Sequence, residues 1–179
     1  MKFIFNIGVI MVMFSFLFGC SSFSQLLPDY EKIAHKITEK TAKKLEEEKK
    51  LYLVGTGRKM MNDIQAMDMS FYFYQEVDLK TARDLIVYVI NEYLAAINNH
   101  KRIRPYLHEY PFTAKNVEIR IWIFEPNGSD PPLDKIYYIS AVDGILTYYL
   151  DLPEIYSRQA ICKETYEEAL KLVKNEADF

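Results

Sequence analysis

The hydrophobic period of this chain changes at Asp78, from two residues to about 3.6. Before that point Met67, Met69, Phe71, Phe73 and Val77 alternate with Asp68, Ser70, Tyr72, Tyr74 and Glu76. Successive side chains of a strand point to opposite faces, so residues 67–77 predict a strand with one apolar face and one tyrosine-bearing face. After it Leu79, Ala82, Leu85, Ile86, Val89, Ile90, Tyr93, Leu94 and Ile97 recur at helical spacing, with Arg83, Asp84, Asn91 and Glu92 off the stripe. Asp78 offers a side-chain oxygen where the first N–H groups of a helix lack partners, so it is the expected cap of a helix over 78–99. A strand and a helix that are each apolar on one side bury those sides against each other, and the helix is expected to cover the sheet.

Three further strands are expected at 117–124, 135–140 and 145–150. In the first, Val117, Ile119, Ile121 and Ile123 alternate with Glu118, Arg120 and Trp122. Asn127-Gly128 and Asp143-Gly144 sit in the connections and tolerate positive φ, and short connections join antiparallel strands. Residues 51–54 suggest a short strand before Gly55-Thr56-Gly57. Pro153 suits a turn after Asp151, and Thr165-x-x-Glu168 is a capping box. Tyr166, Ala169, Leu170 and Val173 then share a helical face. Residues 29–50 form a charged helix with Asp29 as its cap and a thin stripe of Tyr30, Ile33, Ala34, Ile37 and Leu45. Glu39–Lys43 and Glu46–Lys50 have the spacing of i,i+4 ion pairs. Such a helix serves as a stalk or packs by its stripe, with the Lys/Glu run as its solvated face. The expected fold class is α+β: an N-terminal helix, a mainly antiparallel sheet of four or five strands, a long helix on one face and a C-terminal helix.

The N-terminus says where the chain goes. Met1 and Lys2 precede an apolar run, residues 3–18, broken only by Asn6, Gly8 and Ser15. This run falls short of the roughly 20 residues of a spanning helix and suits a secretory signal. It closes in Leu17-Phe18-Gly19-Cys20, followed by Ser21-Ser22. That segment resembles the lipobox of bacterial lipoprotein precursors, in which a small residue precedes the cysteine and a leucine commonly lies three residues before it. Gly19 and Leu17 match. The resemblance implies S-diacylation of Cys20, removal of the leader and an acylated Cys20 as first residue. It covers residues 1–22 alone. Each buried CH₂ contributes about 0.8 kcal/mol, so one acyl chain holds marginally and two hold stably. The alternative is a signal anchor that stays uncleaved. The division expected is 1–19 signal peptide, 20–28 lipidated tether, 29–50 charged helix and 51–179 α+β domain. The expected location is the bacterial cell envelope, facing the periplasm or the exterior. Ser21, in place of Asp, resembles outer-membrane sorting in Gram-negative lipoproteins.

Charge and motifs narrow the function. The net charge is −3 with no long basic block, whereas a nucleic-acid binder presents a basic face, so no nucleic-acid partner is expected. The two cysteines, Cys20 and Cys162, are too few for a disulfide framework. Cys162 is expected to be a packing residue or a free thiol. There is no G-x-S-x-G elbow, and Gly55-Thr56-Gly57-Arg58-Lys59 lacks the P-loop pattern, so its glycines are expected to allow a bend or a bulge. No cofactor is expected. His100, His108 and Glu109 fall in the long connection 98–116, and two imidazoles with a carboxylate can bind zinc or exchange protons. Their spacing matches no metal signature. The competing reading is a helix C-terminus that favours cations, with Lys101, Arg102 and Arg104 beside His100. Among 14 Tyr and one Trp, Tyr72 and Tyr74 share a strand face, Trp122 opposes the isoleucine face, and Tyr106 and Tyr110 lie in the long connection. Such rings are large yet hydrogen-bonding, and favoured at interfaces. The expected partner site is the face of Tyr72, Tyr74 and Trp122, rimmed by loop 100–116, unless a helix or that loop covers it. The function expected is a membrane-anchored, non-enzymatic envelope module that binds another protein or a small ligand. The alternative is a metal-dependent or hydrolytic enzyme using His100, His108 and Glu109.

Overall fold

The change of period at Asp78 marks a joint between strand and helix. In the computed structural model, which describes residues 29–152 and 157–177, the order is α1 (Asp29–Lys49), β1 (Tyr52–Met60), β2 (Ile64–Phe73), α2 (Leu79–Asn99), β3 (Val117–Ile123), β4 (Ile136–Val142), β5 (Ile145–Leu152), β6 (Ser157–Thr165) and α3 (Tyr166–Ala177). The expected leader, Cys20, the expected tether and the expected turn at Pro153 lie outside the described residues. Asp78 Oδ1 accepts from the Thr81 N–H at 2.7 Å and starts α2. Thr165 and Glu168 exchange bonds at the start of α3, at 2.8 and 3.2 Å. Asp143 and Gly144, with φ of 51° and 77°, turn β4 into β5.

The six strands form one sheet in chain order. β2 and β3 are parallel, because α2 carries the chain back along the sheet before β3 starts; the other four neighbour pairs are antiparallel. The sheet is therefore mixed, with more strands than the four or five expected. β6 was hidden because Ser-Arg-Gln-Ala-Ile-Cys-Lys-Glu-Thr has no apolar alternation. As an edge strand it leaves much of its side-chain surface to water and needs no apolar face. β1 is longer than the expected 51–54 and runs through Gly55-Thr56-Gly57, with an irregular register between Leu53 and Gly55. β2 starts earlier than expected and stops at Phe73, so Val77 is buried beyond its end.

One face of the sheet carries the core. Met67, Met69 and Phe71 of β2 and Ile119 and Ile121 of β3 are fully buried, together with Ile86, Ile90, Tyr93 and Ile97 of α2. α1 joins the same core through Ile33, Ala34, Ile37 and Leu45. It packs on α2, with Thr38 Oγ1 2.7 Å from Tyr93 Oη and Lys44 Nζ 2.6 Å from Glu92. It is a packed helix and not a stalk. Its i,i+4 ion pairs are His35–Glu39 and Lys43–Glu47. The spacing Glu46–Lys50 has no such role, because α1 ends first and Lys50 takes a left-handed φ of 58°. Ala169 of α3 completes the core, flanked by Tyr166, Leu170 and Val173. No helix among the described residues is long and apolar enough to cross a membrane.

Candidate functional site

Pleat alternation sends the other half of each strand to the face that the three helices leave uncovered. There the register aligns one residue from each of five strands: Tyr52 of β1 with Tyr72 of β2, Tyr72 with Trp122 of β3, Trp122 with Tyr138 of β4, and Tyr138 with Tyr149 of β5. The result is a continuous aromatic row across the sheet. Ring centroids are 6.2 Å apart for Tyr72–Trp122, 5.2 Å for Trp122–Tyr138 and 5.4 Å for Tyr138–Tyr149. Tyr74 and Phe124, at the ends of β2 and β3, pack on the row, with Tyr72 and Phe124 edge-to-face at 5.1 Å. Such offset and edge contacts suit the ring quadrupole and hold the rings in fixed orientations. Tyr52 and Tyr72 are 40% and 37% exposed, Trp122 is half-buried, and Tyr138 is only 6% exposed. The row is thus wet towards β1 and covered at β4.

Charged groups border the rings. The Arg158 guanidinium of β6 stands 4.6 Å over the Tyr138 ring, within cation–π range. Burial raises the Tyr138 phenol above its usual range, against the opposing pull of Arg120 and Arg158. Two residues down the strands, on the same face, runs a polar row of Ser70, Arg120, Ser140, Thr147 and Lys163. Arg120 binds Glu118 at 2.6 Å and lies 3.8 Å from Asp68. Burial raises the Asp68 carboxyl above its usual range, with Arg120 opposing. A Cβ on Gly57 would stand 2.1 Å from Asp68 Oδ2, so glycine there makes room for the carboxylate across β1. The connection from β3 to β4 rims the aromatic end. It encloses a cavity of about 210 Å³ with Trp122, Phe124, Tyr137, Asp151 and Arg158. A second cavity, about 460 Å³, lies between Tyr52, Tyr74 and Asn127-Gly128.

The connection 100–116 lies at the other end of the sheet and does not rim this face. Leu107 bridges to Ile64 at the start of β2, and the His108 N–H donates to the Ile64 carbonyl at 2.9 Å. Tyr72 is eight residues further along the chain, about 26 Å at strand rise. Tyr106 and Tyr110 are therefore separated from Tyr72, Tyr74 and Trp122. Tyr106 stacks on Tyr30 of α1 at 5.1 Å, and Tyr110 lies under Arg104 at 4.8 Å.

His100, His108 and Glu109 take separate partners. The His108 Nδ1 is 2.7 Å from Asp63 Oδ2, and this bond raises the imidazole pKa. Glu109 Oε1 accepts from Asn116 Nδ2 at 2.7 Å. His100 closes α2 with its backbone N–H on Ile97 and borders the groove between α1 and α2. Among the described residues no group of three or more His, Cys, Asp or Glu is placed to hold a metal ion. Cys162 is half-buried, packs against the core and is aligned with Tyr148.

Sequence reasoning found Tyr72, Tyr74 and Trp122 but missed Tyr52, Phe124, Tyr138, Tyr149 and Arg158. The available signal was the doublets Tyr137-Tyr138 and Tyr148-Tyr149. Register irregularities fall beside both, between Ile136 and Tyr138 and between Tyr148 and Tyr149. The extra residues are Tyr137 on β4 and Ile161 on β6, while ordinary pleat alternation along β5 sends Tyr148 to the core and Tyr149 to the row. No protein-family model, curated protein or solved structure matches this chain.

Proposed function

We propose that this chain is a lipoprotein of the bacterial envelope, held on a membrane by lipid on Cys20, and that its domain is a non-enzymatic binding module. The observation that carries the binding reading is the aromatic row from Tyr52 to Tyr149 on the face without helices among the described residues. Large apolar patches are uncommon on monomers unless they are used. Rings with hydroxyl tips, bordered by Arg120 and Arg158, suit another envelope protein or a small ligand with a flat face and polar edges. The anchoring reading is supported by Leu17-Phe18-Gly19-Cys20 after the apolar run.

Two measurements test the two halves. Metabolic labelling with a palmitate analogue is expected to mark the wild type and not Cys20→Ser, which accumulates as precursor; equal labelling overturns the anchor. Crosslinking in intact envelopes is expected to capture a partner through the wild type and much less through Tyr52→Ser/Tyr72→Ser, with the thermal midpoint nearly unchanged. Tyr138→Ser is expected to lower that midpoint, since its ring is buried. A comparable loss of stability from the Tyr52 and Tyr72 substitutions would make these rings structural and end the interface reading.

A further inference from the structure

The end of the sheet opposite the aromatic row has a different composition. The start of α1, the turn at 60–63, the connection 100–116 and the Asp143-Gly144 turn meet there, as the contacts Tyr30–Tyr106, His108–Ile64 and Gly144–Lys115 show. The whole chain has a net charge of −3, yet residues 100–116 carry Lys101, Arg102, Arg104 and Lys115 against Glu109 alone. Arg104 has a structural task, donating to the Asn98 carbonyl at 3.0 Å and covering Tyr110. Lys101 and Arg102 are exposed, and their side chains make no ion pair or hydrogen bond among the described residues. Of the acids at this end, Asp63 faces His108, Asp29 lies 3.9 Å from Lys32, Glu109 holds Asn116 and Glu168 caps α3 through Thr165, while Glu31 is on the first turn of α1, Asp143 is exposed in the turn from β4 to β5 and Glu167 is exposed on the first turn of α3. Beside the basic groups stand Tyr106, Tyr110 and Met61, which are 41%, 51% and 80% exposed. The C-terminus of α2 favours cations within its last turn. It does not account for the exposed rings and thioether next to them.

We propose that this end is the membrane-facing surface of the protein and that its partner is an anionic phospholipid surface. The proposal rests on lipid at Cys20. Nine residues lead from Cys20 to Asp29, so the chain can reach at most about 30 Å from the bilayer to the start of α1. Tyr30, the next residue, already touches Tyr106. The anchor thus holds the basic patch at high effective concentration near headgroups, where a weak contact is enough. Lys101 and Arg102 meet the anionic headgroups, while the tyrosines and Met61 settle at the interface with an apolar body and a polar or polarisable tip. The aromatic row then lies about 26 Å further along the strands, directed away from the bilayer.

The test uses the full chain, reconstituted through its own anchor into vesicles of phosphatidylcholine, with or without phosphatidylglycerol. Amide hydrogen exchange is followed over 60–63 and 100–110. Phosphatidylglycerol is expected to slow exchange in both segments. High salt and Lys101→Glu/Arg102→Glu are each expected to abolish that protection, the first by screening. Unchanged exchange in β3 and α2 of the variant shows that it is folded. Equal exchange in the two vesicle types, or protection that survives the charge reversal, overturns the proposal. So does protection that requires an envelope protein and not the lipid. Intact mass reads the anchor separately. An unacylated chain overturns the lipidation underneath, whereas an acylated chain without lipid-dependent protection overturns the membrane-facing surface alone.

Discussion

Asp63 reaches from the turn between β1 and β2 to His108, and the contact makes one charge state of the imidazole part of the fold. The hydrogen bond and the carboxylate charge raise the folded pKa of His108 above its ordinary 6.5. A raised folded pKa means that the protonated form is favoured in the native state. The stabilisation is fully present below about pH 6.5 and is lost as pH rises through the raised value. The pair is exposed, so the effect is small. The thermal midpoint of the wild type minus that of Asp63→Asn is expected to shrink from mildly acidic to mildly alkaline pH. A difference independent of pH would show that the pair does not contribute. Residue-scale features of this kind were partly legible. Asp143-Gly144 announces a turn because both positions accept positive φ. Lys50 does not, since a left-handed conformation costs a residue with a Cβ about 1–2 kcal/mol and is imposed by the joint between α1 and β1.

β6 is tied to the rest of the fold by contacts from elsewhere in the chain. Its Glu164 accepts from Arg83 of α2 at 2.8 Å and from the Tyr148 hydroxyl of β5 at 2.7 Å. The Arg83 and Glu164 side chains are only 13% and 9% exposed. A shared carboxylate at this depth ties strand, helix and sheet, and removing it leaves a guanidinium and a phenol buried without their acceptor. Glu164→Ala is expected to destabilise the protein by about 3 kcal/mol, as loss of one partner of a buried pair does. Arg83→Leu/Glu164→Leu is expected to cost less than that single change, because no charge is left behind. Denaturant unfolding checks both. A loss below about 0.5 kcal/mol for Glu164→Ala would place the pair with ordinary surface bridges. Arg83 lies off the apolar stripe, so spacing alone marked it as a solvated residue.

At the scale of the molecule, α1 decides whether 29–177 behaves as one cooperative body. Leu45 is fully buried, and its helix shares the core with α2 and the sheet. Leu45→Ala is therefore expected to cost about 2–5 kcal/mol and to lower a single unfolding transition shared by helical and aromatic signals. A loss under about 0.5 kcal/mol, or a separate early transition of the helix, would show that α1 is peripheral. The same scale governs the two surfaces. The row of rings and the basic end sit at opposite ends of the strands, so a membrane contact at one leaves the other open.

Local spacing in the sequence determined which side chains turn inward. The period-2 runs at 67–73 and 117–123 and the stripe of α2 were readable because burial on one face imposes that pattern residue by residue. The caps at Asp78 and Thr165 and the turn at Asp143-Gly144 were readable because they satisfy their own backbone. Strand order, the parallel pairing of β2 with β3, the edge strand β6 and the alignment of Tyr52, Tyr72, Trp122, Tyr138 and Tyr149 were decided by the tertiary structure. The reason is that register relates residues far apart in the chain. Tyr72 and Trp122 become neighbours only because α2 returns the chain to the start of β3, and that same path carries the connection 100–116 to the far end of the sheet.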